Sequence, residues 1–350
     1  MKAVVLTPFP PDRLVGGEEL HTRELARVLE RAGLEVSVRH PASPAEATDL
    51  LVLNGGSGSV ALRAGHWVKR ARHIWVVPHN SWPTASRMNH PVWLRPVGRG
   101  VSAALRRAFL RLERRGAVFI AVSEANREEL ARDFGVRAVV IPNAVHLPEP
   151  PGPLPRAVRT ARERYPLVGA FVGRWDAQKN PAVLRAMVRA MPEGVGLVFV
   201  SAPSGVHQRA FWPPLRHPRL AWVGPLRREE VHAVYRSVDF VLFPSRYESF
   251  GYVVAEAAAC GTLPFATPTG VAAEMARDPF LAECVIRVPP YGNEPVQAVW
   301  ARIQRLMTPA ARTVKQARLR HFAARFRPER WEGMIRDLLE RTLAVERGGA

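Results

Sequence analysis

The sequence predicts an α/β protein with two doubly wound parallel-sheet domains, and three observations lead to this fold class. Short apolar runs alternate with amphipathic helical stretches, a pattern typical of parallel sheets covered by helices. With 350 residues, of which 47% are hydrophobic, the chain is long enough for two domains of ordinary size. Near its middle, residues 147–155 include five prolines in nine positions, which predicts a stiff linker.

The domain boundaries follow from this linker. We expect a first domain over residues 1–146, a linker over 147–156, a second domain over 157–327 and a last helical segment over 328–350. Ligands of doubly wound sheets bind beyond the carboxyl ends of the strands. The residues that follow each predicted strand are therefore the candidates for a functional site.

The individual elements are predicted from hydrophobic periodicity and from glycine and proline breaks. Apolar runs predict strands at residues 2–7, 34–39, 49–53, 73–78, 117–122, 138–141, 167–172, 195–201, 220–223, 238–243 and 263–267. Amphipathic periodicity predicts helices at residues 18–31, 60–69, 100–115, 124–134, 251–261, 296–307, 310–326 and 328–345, and Pro181 stands at the start of another. Residues 82–96 are broken by prolines and predict a loop, and residues 202–218 match no motif.

Glycines and a histidine follow strands of the first domain. Gly16 and Gly17 precede the first helix, where a ligand can approach the backbone closely and the helix start favours an anion. A plain flexible turn is the alternative. His79 follows the strand at residues 73–78 and is expected to point into a ligand crevice, although a lone histidine is more often structural.

Residues 54–59, with the sequence N-G-G-S-G-S, precede Ala61 and so match the glycine pattern of a dinucleotide-binding turn. The match is weak, because the turn follows the third predicted strand and no acidic residue lies about 20 positions further on. A tight turn is the favoured interpretation. A dinucleotide-dependent oxidoreductase, resting on Gly56 and Gly58, stays as an alternative.

The loop after the first strand of the second domain, G-R-W-D-A-Q-K-N, contains two basic residues. Arg174 can offer a planar fork of donors and Lys179 a compact ammonium group, and both suit diphosphate oxygens. Lys179 is informative because 50 residues are Lys or Arg but only four of them are lysines. A surface lysine is the alternative.

Residues 244–261, P-S-R-Y-E-S-F-G-Y-V-V-A-E-A-A-A-C-G, predict a short loop that leads into a helix. Free N–H groups at a helix start, together with the helix dipole, form a seat for phosphate. Glu256 is the one charged residue between Val253 and Cys260, so a buried carboxylate that needs a partner is expected there. A glutamate that reaches the surface or an arginine is the alternative.

This block, with Glu248 and Glu256 separated by seven residues, resembles that of the retaining, nucleotide-sugar-dependent glycosyltransferases of family 4. The resemblance implies the GT-B architecture, in which two Rossmann-like domains face a central cleft and a last helix packs back on the first domain. It also implies roles for the candidates. Those around the donor are the diphosphate ligands Arg174 and Lys179, the amides of Phe250, Gly251, Tyr252 and Val253, the ribose ligand Glu256, the sugar-positioning residues Glu248 and His79, and the loop glycines Gly16 and Gly17.

The resemblance further implies a hexosyltransferase that uses a UDP- or GDP-type sugar and retains the anomeric configuration. The sequence has no D-x-D pair to chelate a metal with the diphosphate, and Arg174 and Lys179 can replace the metal charge. We therefore expect neither a metal nor a cofactor. A sugar-nucleotide epimerase and a phosphorylase of the same architecture would share the phosphate seat and stay as alternatives.

A formal net charge of +19 would attract anionic partners such as nucleic acid and anionic lipid. Arginines are spread over nearly every segment, so we expect a solvated basic surface and no nucleic-acid partner; a noncatalytic nucleic-acid binder is the lesser alternative. The helix at residues 100–115 is basic and amphipathic, which fits either a core-facing helix or peripheral contact with an anionic membrane. The acceptor is accordingly a sugar, a small molecule or a lipid-linked glycan.

The location of the protein is predicted from what the sequence lacks. No apolar run reaches the roughly 18 residues of a membrane helix, and residues 3–6 are too short for a signal-peptide core. We expect a cytoplasmic protein, with the inner face of the membrane as a peripheral site. The two cysteines, Cys260 and Cys284, predict structural thiols.

Overall fold

A computed structural model describes residues 1–8, 17–55, 58–89, 95–147, 149, 151–201 and 213–344, and of residues 95–98 the backbone alone. The chain divides into two compact units. The first contains the residues up to Ala144 and those from Phe326 on, and the second spans Val145–Arg325. The chain therefore leaves the first unit two residues before the predicted boundary and returns to it two residues before the predicted last segment.

The first unit is built on a parallel sheet of six strands in the order β2-β1-β3-β4-β5-β6 within the described residues. The strands are β1 (Lys2–Leu6), β2 (Glu35–Arg39), β3 (Thr48–Asn54), β4 (Ala71–Val77), β5 (Val118–Ala121) and β6 (Ala138–Val140). Because β1 pairs with β2 on one side and with β3 on the other, the winding direction reverses between β1 and β3. Such a reversal opens a crevice at the carboxyl ends of the strands.

The second unit has a parallel sheet of five strands in the order β11-β10-β7-β8-β9 among the described residues. Its strands are β7 (Leu167–Val172), β8 (Val195–Val200), β9 (Leu220–Val223), β10 (Phe240–Phe243) and β11 (Leu263–Ala266). The winding direction reverses between β7 and β10. The two loops with the densest sequence motifs follow these two adjacent strands.

Helices cover the faces of both sheets. In the first unit they are α1 (Gly17–Arg31), α2 (Ser59–Arg63), α3 (Gly65–Val68), α4 (Trp82–Asn89), α5 (Arg95–Arg114) and α6 (Glu124–Phe134). In the second unit they are α7 (Arg156–Arg164), α8 (Pro181–Arg189), α9 (Arg228–Ser237), α10 (Tyr252–Ala259), α11 (Val271–Met275), α12 (Val296–Leu306) and α13 (Pro309–Ala323). The last helix, α14 (Pro328–Ala344), belongs to the first unit.

These elements confirm the predicted α/β class with two parallel sheets. The strands were predictable because parallel strands are buried on both faces and so consist of continuous apolar runs; β3, for example, is buried at nearly every position. Four helices were not predicted, namely α4, α7, α9 and α11. The prediction of a loop at residues 82–96 was wrong where α4 forms, since Pro83 lies in the first turn of the helix and a first-turn proline costs no hydrogen bond.

The last helix packs inside the first unit. Trp331 is 3% exposed, and its ring meets the edge of the His21 ring on α1 at 5.8 Å between centroids. Further along α14, the indole Nε1 of Trp75 on β4 donates a hydrogen bond of 3.0 Å to the hydroxyl of Thr342. The helix thus covers β4 and α1, the elements that carry the polar cluster described next.

Candidate functional site

A buried polar cluster lies where β3 and β4 end. The ring nitrogen Nε2 of His79, the second residue after β4, is 2.8 Å from Oδ1 of Asn54, the last residue of β3. The Asn54 amide nitrogen donates a 2.6 Å hydrogen bond to the Thr22 hydroxyl on α1. His21 on α1 meets the His79 ring edge-on at 4.7 Å between centroids. His79 is 8% exposed, so it is held by the protein on most sides.

Both imidazoles of this cluster are neutral near pH 7. Burial lowers the pKa of His21 to about 4, and a contact with the Asn54 side chain only partly opposes this effect. Burial also lowers the pKa of His79 well below its usual range, and the neighbouring His21 lowers it further. The polar groups at this sheet edge therefore act as hydrogen-bonding groups without net charge.

Asp133 on α6 holds the loop after His79 by hydrogen bonds. Asp133 accepts hydrogen bonds from the hydroxyls of Ser81 and Thr84, the latter at 2.6 Å, and pairs with Arg87 at 3.2 Å. These donors and cations hold the pKa of Asp133 below its usual range against the opposing effect of burial. The start of α4 is thereby anchored next to His79.

In the second unit, the loop after β7 forms a short 3₁₀ turn, Ala177–Lys179. The Asp176 carboxylate caps this turn by accepting from the amides of Gln178 at 3.1 Å and Lys179 at 3.3 Å. Asn180 takes a left-handed conformation, with φ of 57°, and Pro181 opens α8. The turn directs Lys179 inward, where the residue is 9% exposed.

The loop after β10 is joined to the loop after β7 by side chains and backbone. The Lys179 ammonium group forms an ion pair with the Glu248 carboxylate and lies 4.7 Å from the centre of the Phe243 ring. The Gln178 side-chain amide donates to the Tyr247 carbonyl at 3.0 Å, and the amide of Arg246 donates to the Gln178 carbonyl at 2.7 Å. Two of the predicted site residues, Lys179 and Glu248, are thus in direct contact.

The predicted phosphate seat lies at the start of α10. Gly251 caps this helix in a left-handed conformation, with φ of 87°, which directs the chain from the loop into the helix. The four predicted amides belong to Phe250, Gly251, Tyr252 and Val253, around the helix start, where N–H groups lack partners inside the helix. Gly270 packs against this turn so closely that a Cβ atom would lie 2.2 Å from the Phe250 carbonyl oxygen.

Glu256 lies on α10 and is 9% exposed. Its Oε1 atom is 3.2 Å from Nη2 of Arg228 and 3.6 Å from Nε2 of His232, both on α9. His232 is completely buried, and among the described residues neither of its ring nitrogens has a hydrogen-bond partner. The buried carboxylate predicted from the sequence therefore has its cation, supplied by a helix that the sequence did not predict.

The remaining predicted site residues are exposed or lie outside the described residues. The Arg174 side chain is 67% exposed and pairs with Asp176 at 3.3 Å, the same carboxylate that accepts from the Lys179 amide. Gly17, expected in the loop before the first helix, is the exposed first residue of α1. Gly16 lies outside the described residues, as does Gly56 of the weak dinucleotide pattern.

Sequence reasoning missed the partners of the candidates. Asn54 was assigned to a turn, although its position at the end of β3, beside the strand that precedes His79, was a usable signal. Arg228 and His232 carried no motif of their own. In the described parts of the chain no group of three or more His, Cys, Asp or Glu side chains is arranged to hold a metal ion. No helix among the described residues is long and apolar enough to cross a membrane.

The two cysteines are free thiols. Burial raises the pKa of Cys260 to about 11 and that of Cys284 to about 12, so both stay protonated at neutral pH. Neither is a nucleophile under those conditions, which agrees with the structural role predicted for them.

Comparison with known proteins gives two matching family models. Residues 47–149 match "Glycosyltransferase Family 4" and residues 166–308 match "Glycosyl transferases group 1". The chain is similar to a D-inositol 3-phosphate glycosyltransferase of Xylanimonas cellulosilytica, with 30% identity over 324 residues that cover 73% of this chain and 76% of the relative.

Two solved structures show the same fold. Sucrose-phosphate synthase from Thermosynechococcus elongatus superposes with a TM-score of 0.74 at 18% identity, covering 99% of this chain and all of its own. The Anabaena protein HepE, solved in complex with UDP-glucose, superposes with a TM-score of 0.67 at 18% identity, covering 97% of this chain and 99% of its own. These likenesses confirm the predicted GT-B fold class.

Proposed function

Because this chain belongs to glycosyltransferase family 4 and is a glycosyltransferase, we propose that it transfers a hexosyl group from a UDP- or GDP-type sugar to a phosphorylated acceptor. The observation that carries the donor proposal is the joined pair of loops after β7 and β10. They bring a buried lysine, a carboxylate and a helix start together at the reversal of the sheet winding. HepE, solved with UDP-glucose, supports a nucleotide sugar as the donor.

In this proposal the second unit stabilises the departing diphosphate. The sugar–oxygen bond breaks and leaves negative charge on the diphosphate, which the Lys179 ammonium group and the amides at the start of α10 would neutralise. Glu248 keeps the buried lysine paired while the donor is absent and would hold the sugar once phosphate oxygens take over the lysine. An unpaired buried charge is thereby avoided in both states.

The ribose would be held by Glu256. Its Oε1 atom accepts from Arg228, and a carboxylate has further lone pairs with which it would accept from ribose hydroxyls. In the first unit, His79 would position the donor sugar through a hydroxyl group. Retention of the anomeric configuration belongs to the same proposal and is tested by the NMR signal of the product's anomeric proton.

We also propose that transfer needs no metal ion, because Lys179 and the helix start can supply the positive charge. Activity should then persist in the presence of a chelator such as EDTA. Loss of transfer in EDTA, restored by one divalent cation, would contradict the proposal.

The acceptor is proposed to carry a phosphate group. Two of the proteins that this chain resembles are described as a D-inositol 3-phosphate glycosyltransferase and a sucrose-phosphate synthase, which supports a sugar phosphate. The excess of arginine gives a surface that attracts such an anion. The decisive experiment is isothermal calorimetry with UDP and GDP, followed by transfer assays with the preferred nucleotide's glucose and mannose esters and a panel of sugar phosphates.

A lipid-linked acceptor is the second candidate, favoured by one observation. Residues Arg106, Arg107, Arg111 and Arg114 of α5 are exposed, and Arg107 and Arg111 line a groove of about 440 Å³ together with Leu62. A basic surface beside apolar side chains suits anionic headgroups.

Sedimentation with anionic and neutral liposomes tests this second candidate. Changing the four α5 arginines to Gln should abolish binding to anionic vesicles. As a control with the same change in charge, Arg156, Arg159, Arg164 and Arg189, all exposed in the second unit, are changed to Gln. Equal loss in both variants, or no binding by the wild type, would favour the soluble sugar phosphate.

A further inference from the structure

The hydrogen bonds around His79 form a chain with a fixed direction. The Thr22 hydroxyl donates to the backbone carbonyl of Glu18 at 2.9 Å, one turn earlier in α1. Asn54 Nδ2 donates to the same hydroxyl oxygen at 2.6 Å. Asn54 Oδ1 then faces Nε2 of His79 at 2.8 Å. Four residues from three elements are thus linked from a main-chain carbonyl to an imidazole.

The Glu18 carbonyl at one end of this series of hydrogen bonds fixes the position of each proton in it. A carbonyl oxygen can only accept, so the single Thr22 hydroxyl proton must point to Glu18. Thr22 can therefore offer Asn54 only an acceptor, which turns the NH₂ group of Asn54 towards Thr22. The Asn54 oxygen is then the atom that faces His79, and the bond forms only if Nε2 carries the proton.

Burial of the His79 ring also determines how many protons the ring carries. The low pKa of His79, caused by burial and by the neighbouring His21, means that the ring holds one proton near pH 7. With that proton on Nε2, Nδ1 keeps its lone pair.

We propose that Asn54 is a positioning residue that fixes His79 as the Nε2–H tautomer, so that the ring presents an acceptor at Nδ1. In the reaction, His79 would then accept a hydrogen bond from a hydroxyl of the donor sugar and would not donate one. This last step rests on the proposed function, whereas the tautomer does not.

Thr22→Val is the sharpest variant, because it is nearly isosteric and leaves the side chains of Asn54, His21 and His79 unchanged. Without the threonine oxygen, the Asn54 amide loses the acceptor for its NH₂ group, which can then turn towards Nε2 despite the contact with His21, so the Nδ1–H tautomer becomes accessible. The matched control is Thr342→Val, which removes another buried hydroxyl that accepts from a side chain in the same unit.

The tautomer is measured in the ligand-free protein by long-range ¹H–¹⁵N NMR of the histidine rings, with His79 assigned from the signals lost in His79→Gln. The wild type and Thr342→Val should show His79 as the Nε2–H form alone. Thr22→Val should show a mixture of both forms, and Asn54→Leu should lose the slowly exchanging Nε2–H signal. An Nδ1–H form in the wild type, or unchanged spectra in both Thr22→Val and Asn54→Leu, would overturn the proposal.

The outcome is independent of the donor. These spectra need no nucleotide, so their failure would reject the positioning role and leave the proposed donor untouched. Absence of UDP and GDP binding in calorimetry would reject the donor and leave the tautomer assignment standing.

Discussion

At the carboxyl ends of β3 and β4 the buried polar groups are uncharged and joined by hydrogen bonds, whereas at β7 and β10 they are charged and joined by ion pairs. Asn54, Thr22 and two neutral histidines form the first region. Lys179 with Glu248, and Arg228 with Glu256, form the second. Asn54 and His79 of the first region and Lys179 and Glu256 of the second are buried, so the difference lies in how each region avoids an isolated charge.

The two regions therefore respond to different perturbations. A neutral network is destabilised when one of its members gains a proton, because the buried imidazolium has no carboxylate partner in the cluster. An ion-paired region changes when one partner is removed or when a ligand competes for it.

Acidification should distinguish the two regions most clearly, through its effect on the free energy of unfolding. An unfolded histidine binds its proton with a pKa near 6.5 and folded His21 with a pKa of about 4, so the unfolded state holds more protons between these values. Stability is fully present above about pH 6.5 and falls as the pH drops towards 4, by about 3 kcal/mol from His21 alone.

Urea unfolding midpoints at about pH 7 and about pH 4.5 measure this loss. His21→Gln should lose less stability on acidification than the wild type, while His321→Gln, which changes an exposed histidine, should behave as the wild type does. An equal acid loss in His21→Gln and the wild type would show that the first region is not the acid-sensitive one.

Removing the buried cation of the second region should cost UDP affinity. Lys179→Ala deletes a charged hydrogen-bond donor, which corresponds to roughly ten- to a hundredfold weaker binding in calorimetry. Lys315→Ala is the matched control, because Lys315 is also a buried lysine of the second unit and pairs with Glu283 at 2.7 Å. If both variants lose affinity equally, the effect comes from stability and not from contact with the diphosphate.

Removing the charge of Glu256, the proposed ribose ligand, should weaken UDP binding less than Lys179→Ala does. Glu256→Gln keeps the shape of the side chain but removes its charge, so UDP should bind about three- to tenfold less tightly. A 2′,3′-dideoxy analogue lacks the hydroxyls concerned and should bind both proteins alike. Glu274→Gln, which alters another carboxylate paired with an arginine, serves as the control. Equal losses for UDP and its dideoxy analogue would remove Glu256 from the ribose site.

The smallest effect is expected at Arg174. Its side chain is mostly exposed and pairs with Asp176, so Arg174→Gln should weaken UDP binding only about two- to fivefold. A loss as large as that of Lys179→Ala would mean that Arg174 exchanges Asp176 for the diphosphate when the nucleotide binds.

Most of the fold was predictable, because strands that are buried on both faces of a parallel sheet appear in the sequence as continuous apolar runs. β8 and β10 are buried along their whole length, and both were predicted within two residues at each end. The helices that were missed have weaker signals. α7 carries four arginines and buries only Val158 and Ala161, so its polar face conceals its period.

The site was predictable as a set of single residues and not as a set of contacts. Lys179 and Glu248 were both named, but nothing in the sequence indicates that residues 69 positions apart pair with each other. Asn54 was named only as part of a turn. Its role depends on β3 and β4 being neighbours in the sheet, and strand order is a property of the whole fold.

The return of α14 to the first unit has a consequence for how the protein is made. During synthesis from the amino terminus, residues 1–144 emerge first but lack Trp331, which covers His21, and Thr342, which receives the Trp75 hydrogen bond. The second unit is continuous in sequence and is translated before α14. The first unit to be translated is therefore the last to be completed, and its neutral polar cluster stays open to water until the ribosome has passed the end of the second unit.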